Sequence, residues 1–194
     1  MKKAIRIGLV VILSAVLIVG YYYHLSHKND TTTTENNEEI TEVDKIITKD
    51  FKKDYPATPR EVVKWYNRIT TALYAEEYSD KEMDKMAMQI RELLDDELLE
   101  YNPETTYIAS LKQDVIDYNN REKVILQSKV CDSADITYAM VNGYHCAYVD
   151  AYYFTREGST YSRTYEKFVL RQAKDGKWKI LTFKMVEGDA DDWK

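Results

Sequence analysis

Tyr144 to Val186 constrains this chain more than any other stretch, because it reads as three long antiparallel strands. Two reversals divide it, Glu157-Gly158-Ser159-Thr160 and Lys174-Asp175-Gly176-Lys177, each with the glycine that a tight turn requires. Tyr, Val, Phe, Ile and Thr crowd the segments between at strand density. Asn142-Gly143 marks a further turn and adds a shorter strand, Ile136 to Val141, while Lys123 to Cys131 reads as a first strand. A sheet of this kind needs an apolar layer over at least one face.

The residues upstream supply that layer. Tyr55-Pro56-Ala57-Thr58-Pro59 is a stiff entry, since each proline fixes its own backbone and disfavours helix in the residue before it. Thr58-Pro59-Arg60-Glu61 then has the composition of a capping box with proline at the first helical position. Val62, Trp65 or Tyr66, Ile69 and Leu73 mark its buried face. Ser79-Asp80-Lys81-Glu82 repeats the box for a second helix, with Met83, Met86, Ala87, Ile90 and Leu94 inward. Asn102-Pro103 opens a third, with Ile108, Leu111, Val115 and Tyr118 inward and an end near Asn119-Asn120. Helices first and antiparallel strands after, the helices segregated to one side, predict an α+β domain.

The N-terminal part has a different character. Lys2, Lys3 and Arg6 precede an apolar run from Ile7 to Gly20 that continues through Tyr21-Tyr22-Tyr23 to Leu25, 19 residues from Ile7. A helix needs roughly 20 to cross a bilayer. No small-x-small cleavage site and no Cys follows the run, so an uncleaved anchor is expected over a signal peptide, with the N-terminus cytoplasmic and the bulk outside the cell membrane. Asn29 to Glu39, with four consecutive threonines, has no apolar period and reads as a flexible acidic spacer. Val43, Ile47 and Phe51 then recur at helical spacing, suggesting a short helix leading into the domain. The organisation expected is residues 1–28 cytoplasmic start and anchor, 29–50 linker, and 51–194 extracytoplasmic domain. The last part holds 26 acids against 21 bases, which repels phosphate backbones and excludes nucleic acid as the expected partner.

The turns set a register. Centring the first hairpin between Gly158 and Ser159 pairs Tyr152 with Tyr165, Asp150 with Lys167, and Val149 with Phe168; the facing opposite charges support it. A two-residue turn at Asp175-Gly176 makes Phe168 face Phe183 and Leu170 face Leu181; a three-residue loop slips the last strand by one and exchanges its faces. In the first register Ala147, Val149, Ala151, Phe168, Leu170, Leu181, Phe183 and Met185 lie under the helices. Tyr148, Tyr152, Tyr165, Lys167, Ile180 and Thr182 lie on the other side. With 17 tyrosines against four phenylalanines in the chain, Tyr148, Tyr152 and Tyr165 near Ile180 form a candidate interaction face, for a homodimer or an envelope protein partner.

Three helices, long strands and a closing Asp175-Gly176-Lys177-Trp178-Lys179-Ile180 hairpin resemble the nuclear-transport-factor-two-like cone superfamily. Tyr55–Ile69 and Arg163–Leu181 behind a single span look like an uncharacterised membrane-anchored family of Gram-positive bacteria. The resemblance covers Asp50 to the C-terminus and implies three helices on a curved, cone-like antiparallel sheet, preceded here by one transmembrane helix and a flexible linker. That superfamily holds isomerases, dehydratases and hydrolases beside non-catalytic binders and secretion components, so it transfers no function and no catalytic residue.

Chemistry is sparse. His24, His27 and His145 show no metal-ligand spacing, and Asp189, Asp191 and Asp192 read as an acidic tail sooner than a calcium site, so neither metal nor cofactor is expected. Cys146 pairs with Ala139 in the register above, eight positions along the chain from Cys131, so both thiols are expected free. Glu166 is the acid on the helix-facing side, with Tyr153 beside it in the pocket; it is either a general acid or base with a raised pKa or a solvated group at the cone's mouth. The functions left are a membrane-tethered non-catalytic binder, an enzyme of hydrolase or isomerase type using Glu166, and a structural subunit of an envelope or conjugation assembly.

Overall fold

Three reciprocal caps start the helical half. In the computed structural model, which describes residues 40–188, Thr41 and Asp44, Thr58 and Glu61, and Ser79 and Glu82 each form a complete capping box. Each contributes on the order of 1 kcal/mol. They open α1 (Glu42–Ile47), α2 (Pro59–Ala75) and α3 (Asp80–Leu93); α4 (Asp96–Tyr101) and α5 (Glu104–Asn120) follow. Five strands complete the domain: β1 (Lys123–Val130), β2 (Thr137–Val141), β3 (Tyr144–Glu157), β4 (Thr160–Gln172) and β5 (Trp178–Val186).

The strands make one antiparallel sheet in the order β1-β3-β4-β5, with β2 also paired to β3. β3 is the spine. β4 runs along its whole length on one flank, while β1 and β2 lie end to end on the other, covering residues 151–157 and 144–148. A turn of 3-10 helix at Ser133–Asp135 carries the chain from β1 to β2. α2 packs against β1, β3 and β5, burying Val62, Val63, Ile69, Ala72 and Leu73 over Ala147, Val149, Ala151, Phe168 and Leu170.

The expected fold class is corrected in two respects. The α+β order holds five helices among the described residues instead of three, because α1 joins the domain and the chain breaks at Leu94. Leu94 takes an extended conformation (ψ 150°), bridges Ile180 in parallel, and hands over to Asp95, which caps α4. Among the described residues no helix is long and apolar enough to cross a membrane. The span predicted within residues 7–25, the spacer 29–39 and the acidic tail beyond Gly188 lie outside the described residues. The linker boundary also moves: Val43 and Ile46 are buried in the core, so the domain starts at Thr41, not Phe51.

The β3–β4 register is the one expected, Tyr152 with Tyr165 and Val149 with Phe168. At β5 both candidate registers occur. Gln172, Arg171 and Leu170 pair with Trp178, Lys179 and Ile180; after a bulge, Val169 and Phe168 pair with Thr182 and Phe183. Leu181 is the extra residue. Ile180, expected on the outward face, therefore turns into the core and is fully buried. Past the bulge Phe183 returns to the helix side but stays 39% exposed, and Met185 72%.

Candidate functional site

Glu166 and Tyr153 stand on the helix-facing side, as their places in the register require. Tyr153 is buried, and its hydroxyl donates to Asn67 Oδ1 at 2.5 Å. Asn67, in the middle of α2, is itself buried, and its Nδ2 has no hydrogen-bond partner among the described residues. Burial pushes the half-buried Glu166 carboxyl above the usual range, and the Tyr153 hydroxyl beside it partly opposes that. Burial likewise raises the Tyr153 and Tyr66 phenols, with the negative charge of Glu166 adding to both. An acid, two phenols and an amide thus form a polar thread inside an apolar layer. A cavity of about 220 Å³ opens nearby between Tyr66, Leu98, Tyr107 and Phe183, but neither Glu166 nor Tyr153 lines it. Tyr66 and Phe183 stand at its wall, and behind them both rings pack on Phe168 with centroids 5.3–5.5 Å apart.

The other face carries a second recess. Its floor is the Asp150–Lys167 pair, neighbours on β3 and β4 with Nζ and Oδ1 3.5 Å apart. One wall is the β1–β2 connection. Cys131 N donates to Asp150 O at 2.9 Å, fixing that wall to β3, and Arg60 from α2 holds it from outside. Arg60 Nε donates to Cys131 O at 2.7 Å, and its Nη2 reaches Asp132 at 3.2 Å. The opposite wall is the segment leaving β5, Val186 to Gly188, which crosses Tyr165. A Cβ on Gly188 would come within 2.2 Å of Tyr165 Cγ, so only a glycine fits the chain this closely to the ring. The cleft encloses about 240 Å³ and exposes charge of both signs, Lys129 and Lys167 against Asp132, Asp135, Asp150 and Glu187. Burial raises the pKa of the Cys131 thiol, partly opposed by a hydrogen bond with the Asp150 backbone, and the net shift is upward, so it stays protonated at neutral pH.

The residues expected at an interaction face meet different fates. Tyr148 and Tyr152 are half-buried on the outward side, Tyr152 under the Arg163 guanidinium at 4.8 Å and tilted against Tyr165 at 6.1 Å. Tyr165 is buried beneath Gly188 and lines the cleft, whereas Ile180 is in the core. Sequence reasoning missed Lys129, Asp132, Asp135 and Glu187, which only the folding of two loops onto one strand pair brings together. Cys131 and Cys146 are free and buried. Cys131 sits beside Asp150, four residues along β3 from Cys146, a span of about 13 Å at 3.3 Å per residue. A disulfide needs Cα atoms within about 7 Å. Among the described residues no group of three His, Cys, Asp or Glu side chains could hold a metal ion.

No curated protein matches this sequence. A family model described as a domain of unknown function, DUF6715, matches residues 1–183, nearly the whole length, and the chain belongs to that family.

Proposed function

We propose that this chain is a non-catalytic binding domain, held at the outer surface of a cell membrane through residues 1–28, whose ligand site is the outward cleft. The observation that carries the binding role is the cleft itself: a preformed recess with charged groups of both signs and a thiol that burial keeps protonated. Its 240 Å³ falls below the roughly 300–1,000 Å³ of pockets for drug-sized molecules. The ligand is therefore small and polar. The membrane location rests on the apolar run from Ile7 and the basic residues before it.

The enzyme reading has one observation in its favour, the raised pKa of Glu166 beside Tyr153. Against it, the apolar recess at Tyr66 is lined by neither Glu166 nor Tyr153.

Native mass spectrometry of the full chain, equilibrated with fractionated small-molecule extracts, tests the binding role. A non-covalent adduct of unchanged ligand mass is expected, lost in Lys167→Ala at an unaltered melting temperature. A chemically converted ligand, an adduct that survives Lys167→Ala, or no adduct from any fraction contradicts the proposal. Alkaline extraction of membranes tests location separately, since release into the supernatant removes that half alone.

A further inference from the structure

The edges of the sheet are unequally protected. β5 carries Lys179 and Lys184 and has Leu94 bridged to Ile180 along its open flank. β1 carries Lys123 and Lys129, is bulged at Leu126, and packs against α5. Charges, bulges and covering elements are the means by which sheets avoid pairing with other chains. Among the described residues β2 has none of them. Its sequence Thr137-Tyr138-Ala139-Met140-Val141 contains no charge, no proline and no bulge, and among the described residues it pairs with β3 on one flank only. Its apolar side chains are exposed on both faces: Tyr138 is 57% exposed, its ring edge on Trp178 at 5.8 Å between centroids, with Met140 59% beside it, while Val141 at 39% and Tyr144 across the turn at 50% share the opposite face.

The strand is self-complementary. Laid antiparallel against a second copy with Ala139 on the two-fold axis, Tyr138 faces Met140 of the second copy and Thr137 faces Val141. Each ring thus meets a thioether, a favourable sulfur–aromatic contact, and the apolar side chains close over one another in an isologous arrangement. Electrostatics permits it although the chain carries a net charge of −6. The acid nearest the strand, Asp135, comes opposite Gly143 of the second copy, so no like charges face each other in this register. The outward tyrosine face does not compete for this role, because Tyr165 is already covered by the chain's own Gly188.

We infer that two copies of this chain associate through antiparallel β2–β2 pairing centred on Ala139, joining the two sheets into one. The backbone supplies the hydrogen bonds, Tyr138 and Met140 supply the buried area, and the flanks of β1 and β5 stay excluded by their lysines.

Cross-linking reads the register directly. Facing strand residues have Cα atoms about 4.5–5.5 Å apart, within the reach of a disulfide. Cys146 lies opposite Ala139 on β3 and must be removed first, so the background is Cys146→Ala. In that background the full chain carrying Ala139→Cys is expected to form a reducible covalent dimer under mild oxidation. Thr137→Cys alone is not, because its mate is Val141 of the second copy; Thr137→Cys with Val141→Cys is. Met140→Lys should weaken the dimer at least tenfold in sedimentation equilibrium while leaving the melting temperature of the monomer in place, because Met140 is exposed. Equal cross-linking by Ala139→Cys and Thr137→Cys would mean random collision and overturn the register. A full chain that sediments as a monomer at micromolar concentration would overturn the association itself.

Discussion

Glu166 concentrates the unresolved chemistry of the inner layer into one carboxyl. Burial raises its pKa, with the Tyr153 hydroxyl opposing less strongly, so the folded protein holds this proton more tightly than the unfolded chain does. The sign follows. As pH rises from the ordinary value of 4.5 through the raised one, the folded state loses a proton it favours, and stability falls across that window; below 4.5 the penalty is absent. Glu166→Gln removes the titration at nearly constant volume and leaves an amide that can donate to Tyr153. It should therefore raise stability at pH 7 by more than the roughly 0.5 kcal/mol typical of surface changes, with the gain vanishing toward pH 4. Chemical denaturation at both pH values measures this, and equal stability at pH 7 would mean the carboxylate is solvated.

At the scale of elements, β5 shows how one residue decides which face a strand presents. The bulge at Leu181 is what lets Ile180 and Phe183 both turn toward the helices although they are three positions apart. Deleting Leu181 leaves every observed pair intact, Leu170 with Ile180 and Phe168 with Phe183, and converts the ladder to a regular one. The deletion should thus fold with a smaller loss of stability than Ile180→Ala, which truncates a fully buried side chain and costs about 2–5 kcal/mol. Thermal melts of the two variants compare them; a deletion that unfolds the protein would show that the bulge is required and not merely accommodated. The same element marks where the sequence stopped being legible. Turn glycines and paired opposite charges identify the β3–β4 register, because each lies within one hairpin. Whether β5 slips depends on Leu94 and Asp95 docking at its edge, a contact between distant parts of the chain that no local pattern encodes. The break between α3 and α4 was hidden for the same reason: Leu94 and Asp95 leave the helix to meet Ile180. The outward cleft was illegible because its acids come from the β1–β2 connection, from β3 and from the segment after β5, each unremarkable alone.

For the whole molecule, the contact between Asp95 and Arg171 ties the helical half to the sheet. Arg171 Nε donates to Asp95 Oδ2 at 2.9 Å, a second branch bonds the other oxygen, and Nη1 reaches Glu97 at 3.1 Å. Asp95 N donates to Ile180 O at 2.8 Å beside it. Those partners are 76 residues apart in the chain, whereas Thr155 and Ser162, which bridge the β3–β4 hairpin, are seven apart. Closing the long loop costs more chain entropy than closing the hairpin. This clasp consequently belongs to the late, downhill side of the folding barrier, while β3 and β4 belong to its summit. Arg171→Ala should speed unfolding and leave the refolding rate nearly untouched, a φ-value below about 0.3, while Val149→Ala in the hairpin should slow refolding with a value above about 0.5. Stopped-flow chevrons would settle the order, and a clasp variant that slowed refolding would place the clasp in the nucleus. A clasp formed late is also the first to open, so the protein's lifetime against unfolding is governed by one arginine and the aspartate it grips, not by the aromatic sheet that dominates its sequence.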